Sequence, residues 1–257
     1  MGPVWSCGGS ETDTPLDRPP RPAFYALAPG GWRDLVTLLH PPYTAWHLSY
    51  VALGAAAAPT VHAGRLGAAL AAFFLAVGVA AHALDELVDH PLETRLSDGV
   101  LIALAVGGLG GAVAIGVIGA ITVSALLIPL VAVGAFLALA YNLELAGGRF
   151  HTDLWFALAW GAFPAFTGYF ANALVIRPAG LLVAAACCLL SVAQRRLSKP
   201  VRDLRRRTAA LTGTQRLTDG TEVKLDAAIV AAPLEGALQA LSLGLVLLAA
   251  GLVAVRL

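Results

Sequence analysis

Residues 81–98 read AHALDELVDHPLETRLSD and place His82, Asp85, Glu86, Asp89 and His90 within nine positions. An apolar run, LGAALAAFFLAVGVA, precedes them, and another, GVLIALAVGGLGGAVAIGVIGA, follows. A helix continuing to about residue 90, where Pro91 disfavours the α conformation of the residue before it, puts Asp85 and Asp89 on one face. His82/Glu86 and Glu86/His90 share the same four-residue spacing. Two neighbouring carboxylates repel, so they call for a proton or a cation. Mg²⁺ takes one or two carboxylates and completes its shell with water and substrate phosphates. The stretch therefore predicts a Mg²⁺ site on Asp85, Glu86 and Asp89, suited to a diphosphate arriving from the membrane.

The elements that must hold this stretch are apolar. Of 257 residues 58% are hydrophobic and only 13% charged, about half the charged fraction of an ordinary soluble domain. The apolar residues come in blocks near twenty, the length that crosses a bilayer as a helix. The expected fold is all-α: a polytopic membrane bundle of about seven helices, roughly 43–61, 66–84, 99–115, 118–142, 153–174, 178–195 and 227–254. A transmembrane β-barrel is excluded by the lack of short alternating segments. Abundant Gly and Ala allow close helix–helix approach. A net charge of +1 gives no argument for nucleic acid as a partner.

Orientation follows from Lys and Arg. With the N-terminus inside, fourteen of the seventeen basic residues fall on the cytoplasmic side, nine of them in the loop 195–226. The positive-inside rule then predicts a cytoplasmic N-terminus and an external C-terminus, in the plasma membrane. The loops 85–98, 143–152 and 195–226 share the cytoplasmic face, so three charged loops can build one site. Within the last loop, residues 201–211 suit a short basic helix on anionic lipid, and LTDGTEV suits a hairpin turning at Asp219-Gly220. Residues 1–32, rich in Pro, Gly and charge, read as a disordered cytoplasmic tail ahead of one helical domain, 33–257. Cys7, Cys187 and Cys188 have no metal or disulfide spacing.

These features together resemble the UbiA-type intramembrane prenyltransferase superfamily. Its first aspartate motif, Asn-x-x-x-Asp-x-x-x-Asp at the end of the second helix, is matched by Ala81, Asp85 and Asp89, with Ala81 in place of Asn. LVTLLHPPYTAWHLSYVALGAAAA resembles the opening helix, and YNLELAGGRFHTDLWFALAWGAFPAFTGYF the fourth-to-fifth helix region, with Tyr141 and Arg149 at the family's Tyr and basic positions. The resemblance covers about residues 30–200. It departs at the second motif, Asp-x-x-x-Asp, where Gln194 and Ser198 stand among Arg195, Arg196 and Lys199. Seven spans are also fewer than the family's usual nine.

What the resemblance implies is a Mg²⁺-dependent enzyme. It would ionise a polyprenyl diphosphate at the cytoplasmic face and transfer the prenyl group to a hydrophobic acceptor. Asp85, Asp89, His82 and Tyr141 are the expected catalytic residues, and Arg95, Arg149, Gln194, Arg195, Arg196 and Lys199 the diphosphate contacts. Arginine can replace metal in neutralising phosphate. Tyr141, Trp155, Phe156, Trp160, Phe163, Phe166 and Tyr169 would line the tail pocket, where aromatic faces stabilise an allylic cation. His82, His151 or Asp153 would serve as base. Two alternatives stand beside transfer: cyclisation by a membrane terpene synthase, and a non-catalytic isoprenoid- or lipid-binding bundle. An iron redox site lacks paired Glu-x-x-His motifs, and no inverted repeat or mid-span charge suggests a transporter.

Overall fold

A computed structural model describes residues 21–88 and 90–257. Asp89, Cys7 and the first twenty residues of the expected tail lie outside these. A short α1 (Trp32–Leu38) leads to α2 (Pro41–Ala56). Six long apolar helices follow: α3 (Ala63–Leu87), α4 (Asp98–Thr122), α5 (Ala125–Asn142), α6 (Asp153–Ala173), α7 (Pro178–Arg206) and α8 (Ala227–Arg256). Each is long and apolar enough to cross a membrane, making this an all-α, multi-pass membrane bundle.

The starts are legible in the residues. Prolines open α2 and α7, where a missing N–H costs nothing. The Thr152 hydroxyl accepts from Trp155 N and the Asp226 carboxylate from Ile229 N, capping α6 and α8.

Helix α2 has 16 residues, a length of about 24 Å, short of the ~30 Å hydrocarbon core. Its two ends nevertheless meet the two ends of the long helices. His40, just before it, packs on His82 of α3; just after it, Ala58 O accepts from Arg256 at the end of α8. Along its length α2 is packed against α6 and α8. Lipid-facing side chains such as Val106, Ile121, Leu182 and Leu247 lie exposed on α4, α7 and α8.

Two helices change winding. Phe74–Ala81 in α3 and Leu158–Ala162 in α6 are π-helical, a geometry that widens the helix and recurs at functional sites. The expected span 178–195 also ends differently. Helix α7 continues through Pro200 to Arg206, so residues 195–206 are bundle and not loop, and no separate surface helix begins at 201. The hairpin does form: β1 (Gly213–Arg216) pairs antiparallel with β2 (Glu222–Leu225), turning through Gly220 at φ +88.

Candidate functional site at the polar end of the bundle

The extra turns of α7 create the site. Its buried stripe runs Gly180, Ala184, Cys187, Ser191, Gln194, Ser198, Val201, alternating three and four residues. Gln194 and Ser198, standing where the resemblance expects aspartates, therefore do face the interior. Beside that stripe run Arg195, Arg202 and Arg206. Arg195 Nε donates to Asp153 Oδ1 at 2.9 Å, and its guanidinium lies 5.1 Å from the Phe156 ring centre. Arg206 Nε donates to Pro22 O at 3.1 Å. Arg202 is half-buried and makes no hydrogen bond or ion pair with any described residue. The charges acting on it are Arg195, Arg206 and Asp85.

Asp85 is the carboxylate that faces this cationic strip. It is half-buried, has no ion-pair partner within 4 Å among the described residues, and feels Arg202 and Arg206 most strongly, then His151. One position on, a 100° step around the helix turns Glu86 the other way. Glu86 is fully buried. Its Oε2 accepts from Leu92 N at 2.9 Å, and its Oε1 from Thr94 N at 3.0 Å and Thr94 Oγ1 at 2.8 Å. Both oxygens are committed to folding the 91–94 loop, so Glu86 is an organiser of that loop in place of the open metal ligand expected. Helix α3 also stops at Leu87, with Val88 extended, so the helical register that was to join Asp85 to Asp89 ends before residue 89. Asp89 itself lies outside the described residues.

Four imidazoles lie at this end of the bundle, each with Nδ1 near a main-chain carbonyl: His40 on Leu38 O (2.9 Å), His47 on Trp160 O (2.7 Å), His82 on Gly78 O (3.2 Å) and His151 on Tyr141 O (3.0 Å). A carbonyl only accepts, so each ring turns an N–H of Nδ1 to the main chain. Two of these carbonyls, Gly78 and Trp160, belong to the π-helical stretches. The His40 and His82 rings are 4.0 Å apart. Burial, then the neighbouring His82, holds the His40 imidazole well below its usual range. Burial raises the Tyr25 phenol, with Tyr43 adding to the effect.

Tyr141 completes the enclosure. It is 6% exposed, stacks on His151 at 4.5 Å, and meets Trp160 edge-on at 5.6 Å. Its hydroxyl and the Gln194 Oε1, both buried, have no partner among the described residues. Below it opens an apolar groove of about 480 Å³ between α3, α4, α5 and α6. Val77, Leu137, Ala138 and Trp160 close the end nearest Tyr141, and Gly64, Arg65 and Thr122 mark the other.

Of the aromatic side chains expected in a tail pocket, Trp160 and Phe163 line this groove, and Trp155, Phe156 and Tyr141 pack behind its inner end. Phe166 and Tyr169 do not line it. Phe166 packs with Trp46 and Tyr50 of α2, and Tyr169 with Ala58. Arg95, Arg149, Arg196 and Lys199 are exposed; Arg95 meets Asp34 only through its main-chain N–H, at 3.2 Å. Sequence reasoning missed Arg202, Arg206, His40 and Tyr25. The signal was available in the spacing of Arg195, Arg202 and Arg206, which fall on one helical stripe once the helix is carried through Pro200.

Among the described residues no three His, Cys, Asp or Glu side chains converge as a metal site. With Glu86 committed elsewhere, Asp85 is the carboxylate of this stretch left open among the described residues, and the charges that act on it most strongly are those of Arg202 and Arg206. Searches of protein-family models, curated proteins and solved structures gave no match to this chain.

Proposed function

We propose that this protein is an integral membrane enzyme of the UbiA type that ionises a polyprenyl diphosphate and passes the prenyl group to an acceptor. The observation that carries the reading is Arg202. A half-buried guanidinium without a partner among the described residues, between two further arginines and facing one described carboxylate, suits an anion. The guanidinium acts on Tyr141, whose ring packs against the residues that close the inner end of the apolar groove. A ligand with a phosphate head and a long apolar tail satisfies both halves.

In this reading the bond between C1 and the bridging oxygen breaks, and its electron pair leaves with the diphosphate. Arg202 and Arg206 take up the developing charge. Tyr141, Phe156 and Trp160 face the allylic cation. The acceptor supplies a new pair to C1 and loses a proton, for which the imidazole of His82 or His151 is the receiving base. Mg²⁺ dependence through Asp85 and Asp89 remains part of the proposal, as do a cytoplasmic polar end and a seventh crossing by α2.

The groove also sets a tail length. From Gly64 to Val77 along α3 is about 20 Å at the helical rise. An extended chain covers about 1.2 Å per bond, so an isoprene unit of four bonds covers about 5 Å, and about four units fill the groove. Protein in lipid nanodiscs incubated with geranyl, farnesyl and geranylgeranyl diphosphates, with Mg²⁺ or EDTA, tests this by diphosphate release. Release is expected to be greatest with the geranylgeranyl donor. Binding of all three without release, whatever the metal, favours the isoprenoid-binding bundle, which the single described carboxylate also suits. Cyclised product without acceptor identifies a terpene synthase.

A further inference from the structure

We infer that residues 21–28 form a built-in plug over the polar site, displaced when a phosphate-bearing ligand takes Arg206; this rests on the phosphate-site reading above. The segment has no helix or strand, yet it is tied down at several points. Arg206 Nε donates to Pro22 O and Arg205 Nη1 to Arg21 O, both at 3.1 Å. The Arg21 guanidinium closes the segment on itself through Ala26 O at 3.1 Å. Leu27 N donates to Thr37 Oγ1 at 2.9 Å, and Ala23 and Ala26 bury against Leu92. Tyr25 is the residue that enters the site. Its ring packs on His40 at 5.3 Å and Tyr43 at 5.6 Å, and Arg206, Asp85 and Arg202 act on its phenol.

The acceptors explain why the plug yields. Arg205 is held from the other side by Glu235, with Nη2 2.8 Å from Oε2, and keeps a charged partner throughout. Arg206, among the described residues, has only a neutral carbonyl as hydrogen-bond partner. A phosphate oxygen makes a charge-assisted bond about twice as strong as a neutral one, so a diphosphate outcompetes Pro22 O. Apart from the Arg205 bond to Arg21 O, the remaining anchors are one hydrogen bond to Thr37 and the small Ala23 and Ala26 contacts on Leu92, and a segment without helix or strand lies toward the low-stability end of a fold. The plug keeps water and stray anions from the arginine strip until a ligand that carries both phosphate and tail arrives.

The test uses the full chain in nanodiscs, with inorganic diphosphate and geranylgeranyl diphosphate as probes. Amide exchange is followed over residues 21–31, and binding is compared between the wild type and Phe24→Ala/Tyr25→Ala. Displacement predicts that exchange at 23–28 rises at least tenfold on binding, and that the variant binds inorganic diphosphate about tenfold tighter. Slower or unchanged exchange in the liganded wild type overturns the plug even if the variant misfolds. Equal or weaker binding by a folded variant overturns it too, while leaving the phosphate site in place. No binding of either probe by either protein removes the plug and the phosphate site together.

Discussion

Gly54 of α2 and Gly168 of α6 let two backbones touch. A Cβ on Gly54 would overlap the Ala165 carbonyl oxygen, and one on Gly168 would overlap the Val51 carbonyl oxygen. Each glycine thus accommodates the other helix's main chain. In lipid, where burying apolar surface drives little association, such close backbone contact is a main source of helix cohesion. This crossing fixes α2 against α6 and so sets His47 on the Trp160 carbonyl. Gly54→Ala or Gly168→Ala is expected to destabilise the bundle by about 3 kcal/mol, read as a lowered unfolding midpoint in detergent. Gly67→Ala, with nothing near its added methyl, is expected to leave the midpoint in place.

Glu86 and Asp85 are adjacent acids with opposite jobs, and substitution separates them. Glu86→Ala strands the Leu92 and Thr94 amides and the Thr94 hydroxyl, and is expected to cost about 3 kcal/mol. Faster amide exchange across 91–95 would locate that loss in the loop. Asp85→Asn removes no ion pair within 4 Å among the described residues. Its effect on the midpoint is expected to stay below about 1 kcal/mol, while diphosphate release falls at least tenfold. A stability loss for Asp85→Asn equal to that of Glu86→Ala would remove Asp85 from the site.

The bundle was legible because long apolar blocks in a 58% hydrophobic chain have few other solutions than membrane helices. The cluster at 82–90 was legible as a polar site, but the role of each acid was not. Helical spacing assigns Asp85 and Glu86 to different faces; it does not say that Glu86 turns to the 91–94 loop, because that depends on a chain reversal after Leu87. Arg202 was hidden by Pro200. A proline suggests a helix boundary, so the residues beyond it read as a surface loop, when the helix continues and turns Arg202 inward. Arg95 and Arg149 illustrate the reverse error: loop arginines near the right end of the chain that remain exposed.

That difference gives a ranked prediction for the arginines. Arg202→Ala deletes the guanidinium that lacks any described partner and is expected to lower diphosphate release and probe affinity about 10- to 100-fold, the worth of one or more charge-assisted hydrogen bonds. Arg95→Ala and Arg149→Ala are expected to change either by less than threefold. Arg202→Lys retains charge without the planar fork and should recover only part of the loss. Steady-state release in nanodiscs orders the four proteins. An Arg149→Ala defect larger than that of Arg202→Ala would move the phosphate contact to the 143–152 loop.

His40 makes stability depend on pH. It adopts a left-handed backbone, φ 45, just before α2, and burial beside His82 depresses its proton affinity in the folded protein. The unfolded chain protonates a free imidazole near pH 6.5. Above that pH both states are neutral at this position and stability is unaffected. As pH falls below about 6.5 the unfolded state binds a proton the folded state refuses, so stability is lost at up to about 1.4 kcal/mol per pH unit. The loss continues down to the depressed folded value and is constant below it. Asn tolerates the left-handed backbone and cannot titrate, so His40→Asn is expected to be flatter than the wild type between pH 6.5 and 5 by about one proton. Unfolding midpoints of the two proteins across that range measure the difference, and parallel curves would mean that His40 is protonated to the same extent folded and unfolded.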